Sequence, residues 1–169
     1  MSREILFKAK HANWRELPKE DWWVEGNLVW TNDSFEEYRA IIIPKENSAM
    51  FTKSENDDLG FENWYLVDPE TVCQYTGLTS KSKDGKMFYE GDIVLETTSG
   101  YIGVIKFGTY KPERLGFYIE WIKDCCYMCD IRPWVINRWI RTIGNIFDNP
   151  EYLEQAAVGK PITYKEKTE

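Results

Sequence analysis

Apolar residues in this chain occur in short runs, and the longest uninterrupted ones, such as Ala40–Ile43, contain only a few residues. A membrane-spanning helix needs roughly 20 consecutive apolar residues, so the sequence predicts no such helix. The 169 residues nevertheless include 8 Trp, 10 Tyr and 8 Phe, whose large side chains need burial. The chain is therefore predicted to fold as one domain built from many short elements.

Most of the short apolar runs have the pattern of β-strands bounded by turn residues. They alternate with polar residues or are rich in β-branched and aromatic residues, and they end at Gly, Pro, Asn or Asp. Strands are predicted at Arg3–Ala9, Tyr38–Ile43, Trp64–Val67, Val72–Tyr75, Ile93–Thr97, Tyr101–Phe107, Phe117–Ile122 and Trp134–Ile143. Trp22–Trp30 is interpreted as a hairpin that turns at Glu25-Gly26-Asn27. This pattern favours a mainly β fold, an all-β barrel or curled sheet.

The segments between these strands carry turn and loop signals. Thr76-Gly77, Asp84-Gly85 and Ser99-Gly100 predict tight turns. Lys45–Glu62 is polar and without periodicity, which predicts a long exposed loop. The spacing from Ser34 to Glu37 is that of a capping box and predicts a short helical turn.

The clearest helix signal lies near the C-terminus. Asn149 is a suitable N-cap, Pro150 suits the first helical position and Glu151 places an acid in the first turn. Gly159 and Pro161 are typical of the end of a helix. The predicted organisation is a single domain at residues 1–153, with an N-terminal β part at 1–67, a β core at 68–148, and the helix end and a frayed tail at 154–169.

The stretch from Gly91 to Phe107 has an arrangement that is common in small SH3-like barrels. Gly91-Asp92 precedes the outgoing strand, and Gly103 lies in the returning strand, where such sheets bend sharply. A glycine inside a strand also marks a bulge or a close approach of another backbone. We therefore expect several strongly coiled antiparallel sheets with an SH3-like barrel-type core, although any strongly bent hairpin has the same needs.

The formal net charge is −7, and it is unevenly distributed. Residues 51–100 hold 4 Lys and Arg against 10 Asp and Glu, which is −6, whereas residues 101–169 carry +1. Nonspecific binding to duplex DNA depends on a surplus of positive side chains, so we do not expect a general DNA-binding protein. An acidic surface is compatible with a basic protein partner, but most acidic domains are simply soluble.

The four cysteines raise the question of a metal site. Cys125, Cys126 and Cys129 could supply two or three thiolates to zinc, but a structural zinc site usually has four ligands. The fourth would have to be Cys73 or the single histidine, His11, both distant in the sequence. The surrounding segment also alternates like a strand, which favours thiols packed in the core. We expect no metal and no cofactor, and we expect His11 at the surface.

Two stretches in the middle of the chain resemble the YopX family of phage and prophage proteins. They run from Asp68 to Leu78 (DPETVCQYTGL) and from Asp84 to Val94 (DGKMFYEGDIV). Two flanking segments also match, an opening strand from Arg3 to Ala9 and a closing one from Ile143 to Glu151. Together these segments bracket about residues 3–153, nearly the whole chain.

The chain departs from the family pattern at a few positions. Cys73 stands where a small residue is usual, Lys10 where an aromatic residue is common, and Ser80-Lys81-Ser82 where the connector usually carries an Asp. None of these lies in the Gln-Tyr-Thr-Gly or Tyr-Glu-Gly-Asp-Ile segments. The resemblance implies a mostly β fold of strongly coiled sheets and a phage or prophage origin in a bacterial cytoplasm. It implies no established activity.

Glu90 and Asp92 are the obvious candidates for acid–base chemistry. At positions i and i+2 of a strand, both carboxylates would point to the same side. Gly91 lies between them at the entry to a strand, where carboxylates often accept backbone N–H bonds, and we favour that structural interpretation. Nucleophile-elbow, P-loop, HExxH and GxGxxG patterns are absent, so an enzyme is the less favoured expectation.

The strongest binding candidate is the segment that holds Arg132, Trp134, Arg138, Trp139 and Arg141. On a strand, the first three would share one face and the last two the other. Arginine beside an exposed tryptophan binds single-stranded nucleic acid by stacking and phosphate contacts. The alternative, which we favour, is that Trp134 lines the core and the arginines cover its edge.

A second group of candidates comprises Gln74, Tyr75, Thr76 and Tyr89, polar and aromatic residues close to predicted turns. They could form a shallow pocket, or they could simply satisfy the local turn geometry.

These patterns together predict a phage or prophage accessory protein without enzymatic activity. We expect a β module that binds a host or phage protein, with a homo-oligomer as a further expectation. A single-stranded nucleic-acid-binding module of SH3-like fold is the alternative. The N-terminus lacks the apolar core of a signal peptide, so the expected location is the cytoplasm, away from membranes.

Overall fold

The computed structural model describes residues 4–32, 38–45, 51–53, 59–61, 63–81, 85–111, 113–123, 129–160 and 162. The chain is mainly β, as predicted. Its strands are β1 Phe7–Lys10, β2 Trp23–Asn32, β3 Tyr38–Pro44, β4 Phe51–Lys53, β5 Leu59–Phe61, β6 Tyr65–Val67, β7 Cys73–Thr79, β8 Met87–Tyr89, β9 Asp92–Glu96, β10 Ile102–Lys111, β11 Arg114–Trp121 and β12 Ile140–Asn145. The helices are α1 Ile131–Ile136 and α2 Pro150–Ala157, with single 3-10 turns at Trp14–Glu16, Lys19–Asp21 and Pro69–Thr71.

The chain divides into two compact units, Met1–Tyr75 and Thr76–Glu169. The division falls inside β7, which begins in the first unit and continues into the second, where β8 lies beside it. Neither helix in the described part of the chain is long and apolar enough to cross a membrane.

The first unit is built on an antiparallel sheet with the strand order β6-β3-β2-β1-β7. One face of this sheet carries a core cluster of Ala9, Val24, Ala40, Ile42 and Val67. These residues belong to strands that are distant in sequence but adjacent in the sheet, so burying them fixes the register of β1, β2, β3 and β6. A single bridge between His11 and Val67 links the end of β1 to β6.

The predicted hairpin at Trp22–Trp30 is wrong, because β2 runs without a turn from Trp23 to Asn32. Gly26 lies inside this strand, between Phe7 on one side and Pro44 on the other. A Cβ at Gly26 would collide with the backbone carbonyl of Ile43. The glycine therefore permits the close approach of β3. Gly26 is wrongly predicted as part of a turn, because glycine is also common in turns.

The predicted loop at Lys45–Glu62 is wrong in part, because it contains a short antiparallel pair. Phe51 lies opposite Phe61, and Lys53 lies opposite Leu59, in the two-stranded sheet of β4 and β5. Three-residue strands are too short to show periodicity in the sequence. The capping box predicted from Ser34 to Glu37 lies outside the described residues.

The second unit contains an antiparallel sheet with the order β11-β10-β9-β12. The predicted pairing across Ser99-Gly100 is confirmed, since Ile102 lies opposite Leu95 and Gly103 opposite Val94. Among the described residues this sheet is open, with β11 and β12 at its two edges. The SH3-like barrel is therefore not confirmed.

Gly103 marks a close approach, one of the two roles predicted for it. A Cβ there would meet the side chains of Ile119 and Trp121, which belong to the neighbouring strand β11. The turn predicted at Thr76-Gly77 is wrong, because β7 continues through both residues to Thr79. Gly77 has a φ of 81°, a conformation in which glycine can locally distort a strand without ending it.

The core of the second unit is a cluster formed by one face of its four-stranded sheet, by α1 and by Phe88 of β8. Its members are Phe88, Val94, Ile105, Phe117, Ile119, Ile131, Trp134, Val135 and Ile140. The predicted C-terminal helix is confirmed as α2, with Pro150 as its first residue and Gly159 at a φ of 74° just beyond its end.

Candidate functional site

The segment from Arg132 to Arg141, predicted as part of a strand, contains a helix followed by a strand. Asp130 caps α1, because its Oδ1 accepts a hydrogen bond from the backbone N–H of Arg132 at 3.0 Å. Pro133 lies within the first turn of the helix, where proline is tolerated. The strand predicted at Trp134–Ile143 is therefore wrong before Ile140. An Asp N-cap with a nearby Pro is the signal in the sequence that indicates this helix.

The two tryptophans that were candidates for stacking on nucleic-acid bases differ in exposure: Trp134 lies within α1, and Trp139 follows it. Trp134 is only 7% exposed and packs edge-to-face against Trp121, with ring centroids 5.1 Å apart. Trp139 packs edge-to-face against Trp134 but remains 40% exposed. The interpretation of Trp134 as a core residue agrees with this burial, and only Trp139 offers an accessible ring.

The three arginines of this segment are exposed but do not share one strand face. Arg132 pairs with the Asp130 carboxylate at 3.3 Å. Its hydrogen bond to Asp130, strengthened by the opposite charge, raises the pKa of Arg132. Arg138 follows α1 with a φ of 60°, and Arg141 lies on β12 opposite Leu95. The strand face predicted to be shared by Arg132, Trp134 and Arg138 is therefore wrong, because Arg132 and Trp134 lie in a helix.

Glu90 and Asp92 both accept hydrogen bonds from backbone N–H groups. Asp92 is buried and its Oδ2 accepts from the N–H of Tyr89 at 2.9 Å. Glu90 is half-buried, and its Oε1 accepts from the N–H of Phe107 at 3.4 Å. Gly91 between them has a φ of 78°, so these residues form a turn that leads into β9. The geometry agrees with the structural interpretation of this pair.

The candidates for a shallow pocket are largely inaccessible. Tyr75, Thr76 and Tyr89 are buried, and Gln74 is half-buried opposite Phe7 of β1. The hydroxyl of Thr76 accepts a hydrogen bond from the backbone N–H of Leu78 at 3.2 Å. Each of the three buried side chains is thus part of the interior of the fold.

The residues considered for a metal site do not come together in the described part of the chain. Cys125 and Cys126 lie outside the described residues, while Cys73 is buried and Cys129 is half-buried. No group of three or more His, Cys, Asp or Glu side chains within the described ranges could hold an ion. His11, expected at the surface, is half-buried against Tyr65. Burial lowers the pKa of His11, and the nearby charge of Asp21 only partly opposes this.

A tryptophan cluster around Lys10 was missed by the sequence reasoning. Lys10 is only 1% exposed, and its Nζ lies 3.9 Å from the ring centroid of Trp14, 4.5 Å from that of Trp22 and 5.5 Å from that of Trp23. Trp14 is held in turn by a hydrogen bond from its Nε1 to Asp68. Three tryptophans within the ten residues from Trp14 to Trp23, shortly after the strand that holds Lys10, were the available signal.

Three exposed or partly exposed aliphatic residues of the first unit lie in a row across three strands, which we call the apolar row. Val29 on β2 lies opposite Ile41 on β3, which lies opposite Leu66 on β6. Directly opposite residues of antiparallel strands point to the same side of a sheet. Ala40 and Ile42 belong to the core cluster, so Ile41 between them points to the opposite side. Val29 is 36% exposed, Leu66 is 37% exposed and Ile41 is partly exposed.

The apolar row leads into a surface depression of about 460 Å³. Leu66 belongs to both features, and Ala12, Val67 and Pro69 supply further apolar lining. Arg39 and Asp68 also line the depression and provide one charge of each sign. An aliphatic surface with a concave end and a few polar groups is suited to side chains of another polypeptide.

The described part of the chain is thus mainly β, and the apolar row is one of its exposed apolar surfaces. The chain matches the family model described as YopX protein over residues 17–154, most of its length. It therefore belongs to the YopX family. No curated protein matches the chain.

Proposed function

We propose that this YopX protein is a phage or prophage accessory protein that acts without catalysis in the bacterial cytoplasm, by binding another protein. The binding surface is the apolar row of Val29, Ile41 and Leu66 together with the depression beside Leu66. The β-sheet of the first unit holds these three side chains at fixed spacing, so little conformational entropy is lost when a partner binds.

The observation that carries this proposal is the alignment of the apolar row. Single exposed aliphatic residues are common on protein surfaces and need no explanation. Three that face the same way on neighbouring strands form a continuous strip, because adjacent strands are only about 4.8 Å apart. Continuous apolar strips on a surface are typical of interaction sites.

The test is affinity capture from a lysate of the bacterial host with matched variants as bait. We expect the wild type to capture a specific protein, and we expect the double variant Val29→Ser with Leu66→Ser to lose this capture. Leu115→Ser is the control, since Leu115 is the most exposed large apolar residue among those that the structure describes and belongs to the second unit. Equal recovery of the captured protein by the wild type, the double variant of the apolar row and the Leu115→Ser control would contradict the proposal.

A second candidate function is supported by Trp139. Its ring is partly exposed, and Arg138 and Arg141 near it are exposed, the combination that stacks on bases and contacts phosphates. Filter binding of a single-stranded oligonucleotide tests this, with salt-sensitive retention expected at micromolar protein. Trp139→Ala is expected to reduce retention severalfold, with Trp64→Ala, another exposed tryptophan, as the control. Absence of retention at low salt would exclude this function.

A further inference from the structure

The depression beside Leu66 has one charge of each sign at the same end of two paired strands. Ala40 of β3 lies opposite Val67 of β6, and Arg39 and Asp68 are the next residues beyond this pair. The backbone of Asp68 is still extended, and both charged residues line the depression. Because Ala40 and Val67 point into the core, Arg39 and Asp68 share the opposite, accessible face. Directly opposite residues have Cβ atoms about 5 Å apart, so the two charged side chains start as close neighbours.

Two neutral donors hold the carboxylate of Asp68 in place. Its Oδ2 accepts a hydrogen bond from Nε1 of Trp14 at 3.3 Å, and its Oδ1 accepts one from the backbone N–H of Glu70 at 3.1 Å. Each carboxylate oxygen has two acceptor positions. The carboxylate is therefore fixed in orientation and can still accept hydrogen bonds from a ligand in the depression.

Arg39 supplies the complementary charge. It is exposed, and its guanidinium group has five N–H donors in a planar fork that matches the two oxygens of a carboxylate. With five donors it can bind a carboxylate and keep its other contacts. The remaining lining of the depression is apolar and consists of Ala12, Ala40, Leu66, Val67 and Pro69. The volume of about 460 Å³ is in the range of about 300–1,000 Å³ that is typical of small-molecule sites.

We propose that the depression binds a free α-amino acid with an aliphatic side chain. The α-carboxylate pairs with Arg39, the α-ammonium group pairs with Asp68, and the side chain packs on Leu66 and Pro69. In such a ligand both charged groups are attached to one carbon atom, which suits opposite charges on neighbouring strands. The ligand is a small molecule, so this inference goes beyond the proposed protein-binding function and shares only the depression with it.

The paired charges separate this ligand from three others. A phosphate or a nucleic acid would be attracted by Arg39 but repelled by Asp68, and for a polyamine the signs are reversed. An uncharged aliphatic molecule would remove water from both charged side chains without replacing the lost hydrogen bonds. A zwitterion with an apolar group is the ligand for which all parts of the lining are favourable.

The experiment is an NMR titration of the isotopically labelled full-length protein, followed at the indole N–H of Trp14. This N–H donates to Asp68, so a ligand at Asp68 should shift its resonance, which is assigned by its loss in Trp14→Phe. The probes are L-leucine, leucinamide without the carboxylate, N-acetyl-leucine without the ammonium group, and glycine without the side chain. We expect a saturable shift with leucine below about 10 mM, and binding of each of the other three at least about tenfold weaker.

Variants assign the two charged contacts. Arg39→Gln is expected to weaken leucine about tenfold and to remove the preference for leucine over leucinamide. Asp68→Asn is expected to remove the preference for leucine over N-acetyl-leucine, and its amide oxygen can still accept from the N–H of Glu70. The controls are Lys19→Gln and Glu70→Gln, exposed charges of the first unit outside the depression, which should leave binding unchanged.

The outcomes separate this inference from the protein-binding proposal. Absence of a saturable shift with leucine up to about 10 mM would overturn the amino-acid site, whereas capture of a protein that depends on Val29 and Leu66 would still stand. Equal binding of leucine, leucinamide and N-acetyl-leucine would show that only the apolar side chain is recognised, and the zwitterion site would be wrong. Unchanged leucine binding in both Arg39→Gln and Asp68→Asn would place the ligand elsewhere and would also overturn the inference.

Discussion

At the scale of single residues, Lys10 shows how a charged side chain is accommodated in the interior. Its backbone is anchored at both polar groups: the N–H donates to the hydroxyl of Thr71 at 2.8 Å, and the carbonyl accepts from the N–H of Asp68 at 2.8 Å. The aliphatic part of the side chain is buried, and the ammonium group lies over tryptophan rings. Cation–π attraction is strongest where water is excluded, as it is here.

We expect Lys10→Met to lower the free energy of unfolding by about 1–2 kcal/mol, because methionine retains the aliphatic packing but loses the attraction to the rings. Urea unfolding followed by tryptophan fluorescence measures this change. Lys19→Met is the control, since the Nζ of Lys19 lies 5.5 Å from the ring centroid of Trp22 on an exposed side chain. An unchanged or higher midpoint for Lys10→Met would show that the cluster is held by packing alone.

Glu96 provides a pH dependence that can be measured. Its carboxylate accepts hydrogen bonds from the backbone N–H groups of Thr98 and Ser99 in the turn after β9. Burial by itself would raise the pKa of Glu96, but these hydrogen bonds outweigh it and hold the pKa below its usual value. The folded state therefore stabilises the ionised form of Glu96 more than the unfolded chain does.

We expect Glu96→Gln to destabilise the protein by about 1–2 kcal/mol at pH 7, because a neutral amide is the weaker acceptor. Because the folded pKa lies below the unfolded one, the stabilisation by Glu96 is fully present above the unfolded value of about 4.3. It is lost as the pH falls through the lowered folded pKa. Urea unfolding at pH 7, 5 and 3.5 should show the difference shrinking only at the lowest pH. Glu151→Gln should show no such trend.

At the scale of elements, the glycines within strands decide which strands can lie side by side. Gly26 on β2 faces the backbone of β3, whereas Gly103 on β10 faces mainly the side chains of Ile119 and Trp121. Side chains can rotate away from an added methyl group, but a paired backbone cannot move without breaking its hydrogen bonds.

We expect Gly26→Ala to cost about 3 kcal/mol or more and Gly103→Ala less. The methyl group added at Gly26 collides with the backbone of Ile43, whereas at Gly103 the nearest backbone atom, the carbonyl oxygen of Glu120, is 3.1 Å away. Thermal unfolding followed by circular dichroism compares the two variants. Asn27→Ala, at the exposed neighbour of Gly26 on the same strand, controls for substitution within β2. A smaller effect for Gly26→Ala than for Gly103→Ala would mean that β2 and β3 can separate locally.

At the scale of the whole molecule, the two core clusters have no residue in common. Ile42 belongs to the cluster of the first unit, while Ile105 and Ile119 lie opposite each other in the cluster of the second. All three are fully buried. Substitutions in residues without shared contacts usually add, whereas those in contact couple.

Truncation of each isoleucine to valine should cost about 0.5–1.5 kcal/mol. We expect the effects of Ile42→Val and Ile119→Val to add within about 0.5 kcal/mol, and those of Ile105→Val and Ile119→Val to deviate from additivity by more. Urea unfolding of the single and double variants provides both cycles. Stronger coupling between Ile42 and Ile119 than between Ile105 and Ile119 would show that the two clusters behave as one core.

Some elements could be predicted from the sequence and others could not, for identifiable physical reasons. β3, β9 and β10 were predicted because each is a run of apolar or β-branched residues that ends at a turn signal or a proline. α1 was missed because Trp134 to Ile136 are apolar residues that suit either a buried strand or a buried helix. The N-cap at Asp130 and the contact of Trp134 with Trp121 stabilise the helix at this position.

The candidate site was harder to predict from the sequence than the fold. Val29, Ile41 and Leu66 are separated by 12 and 25 positions, and each is an ordinary strand residue. Only the register of β2, β3 and β6 brings them into line. The exposed tryptophan sought near Arg138 does exist as Trp139, but its predicted companion Trp134 is in the core.

The sequence by itself determined the mainly β fold, the C-terminal helix, the YopX family and the location of the negative charge. These follow from local patterns, since strand alternation, capping residues and charge are properties of neighbouring positions. Only the tertiary structure decided that Gly26 accommodates a strand, that Lys10 is enclosed by tryptophans and that an apolar row crosses β2, β3 and β6. Each of these depends on which strands pair and in which register, and that is fixed by burial of residues distant in the chain.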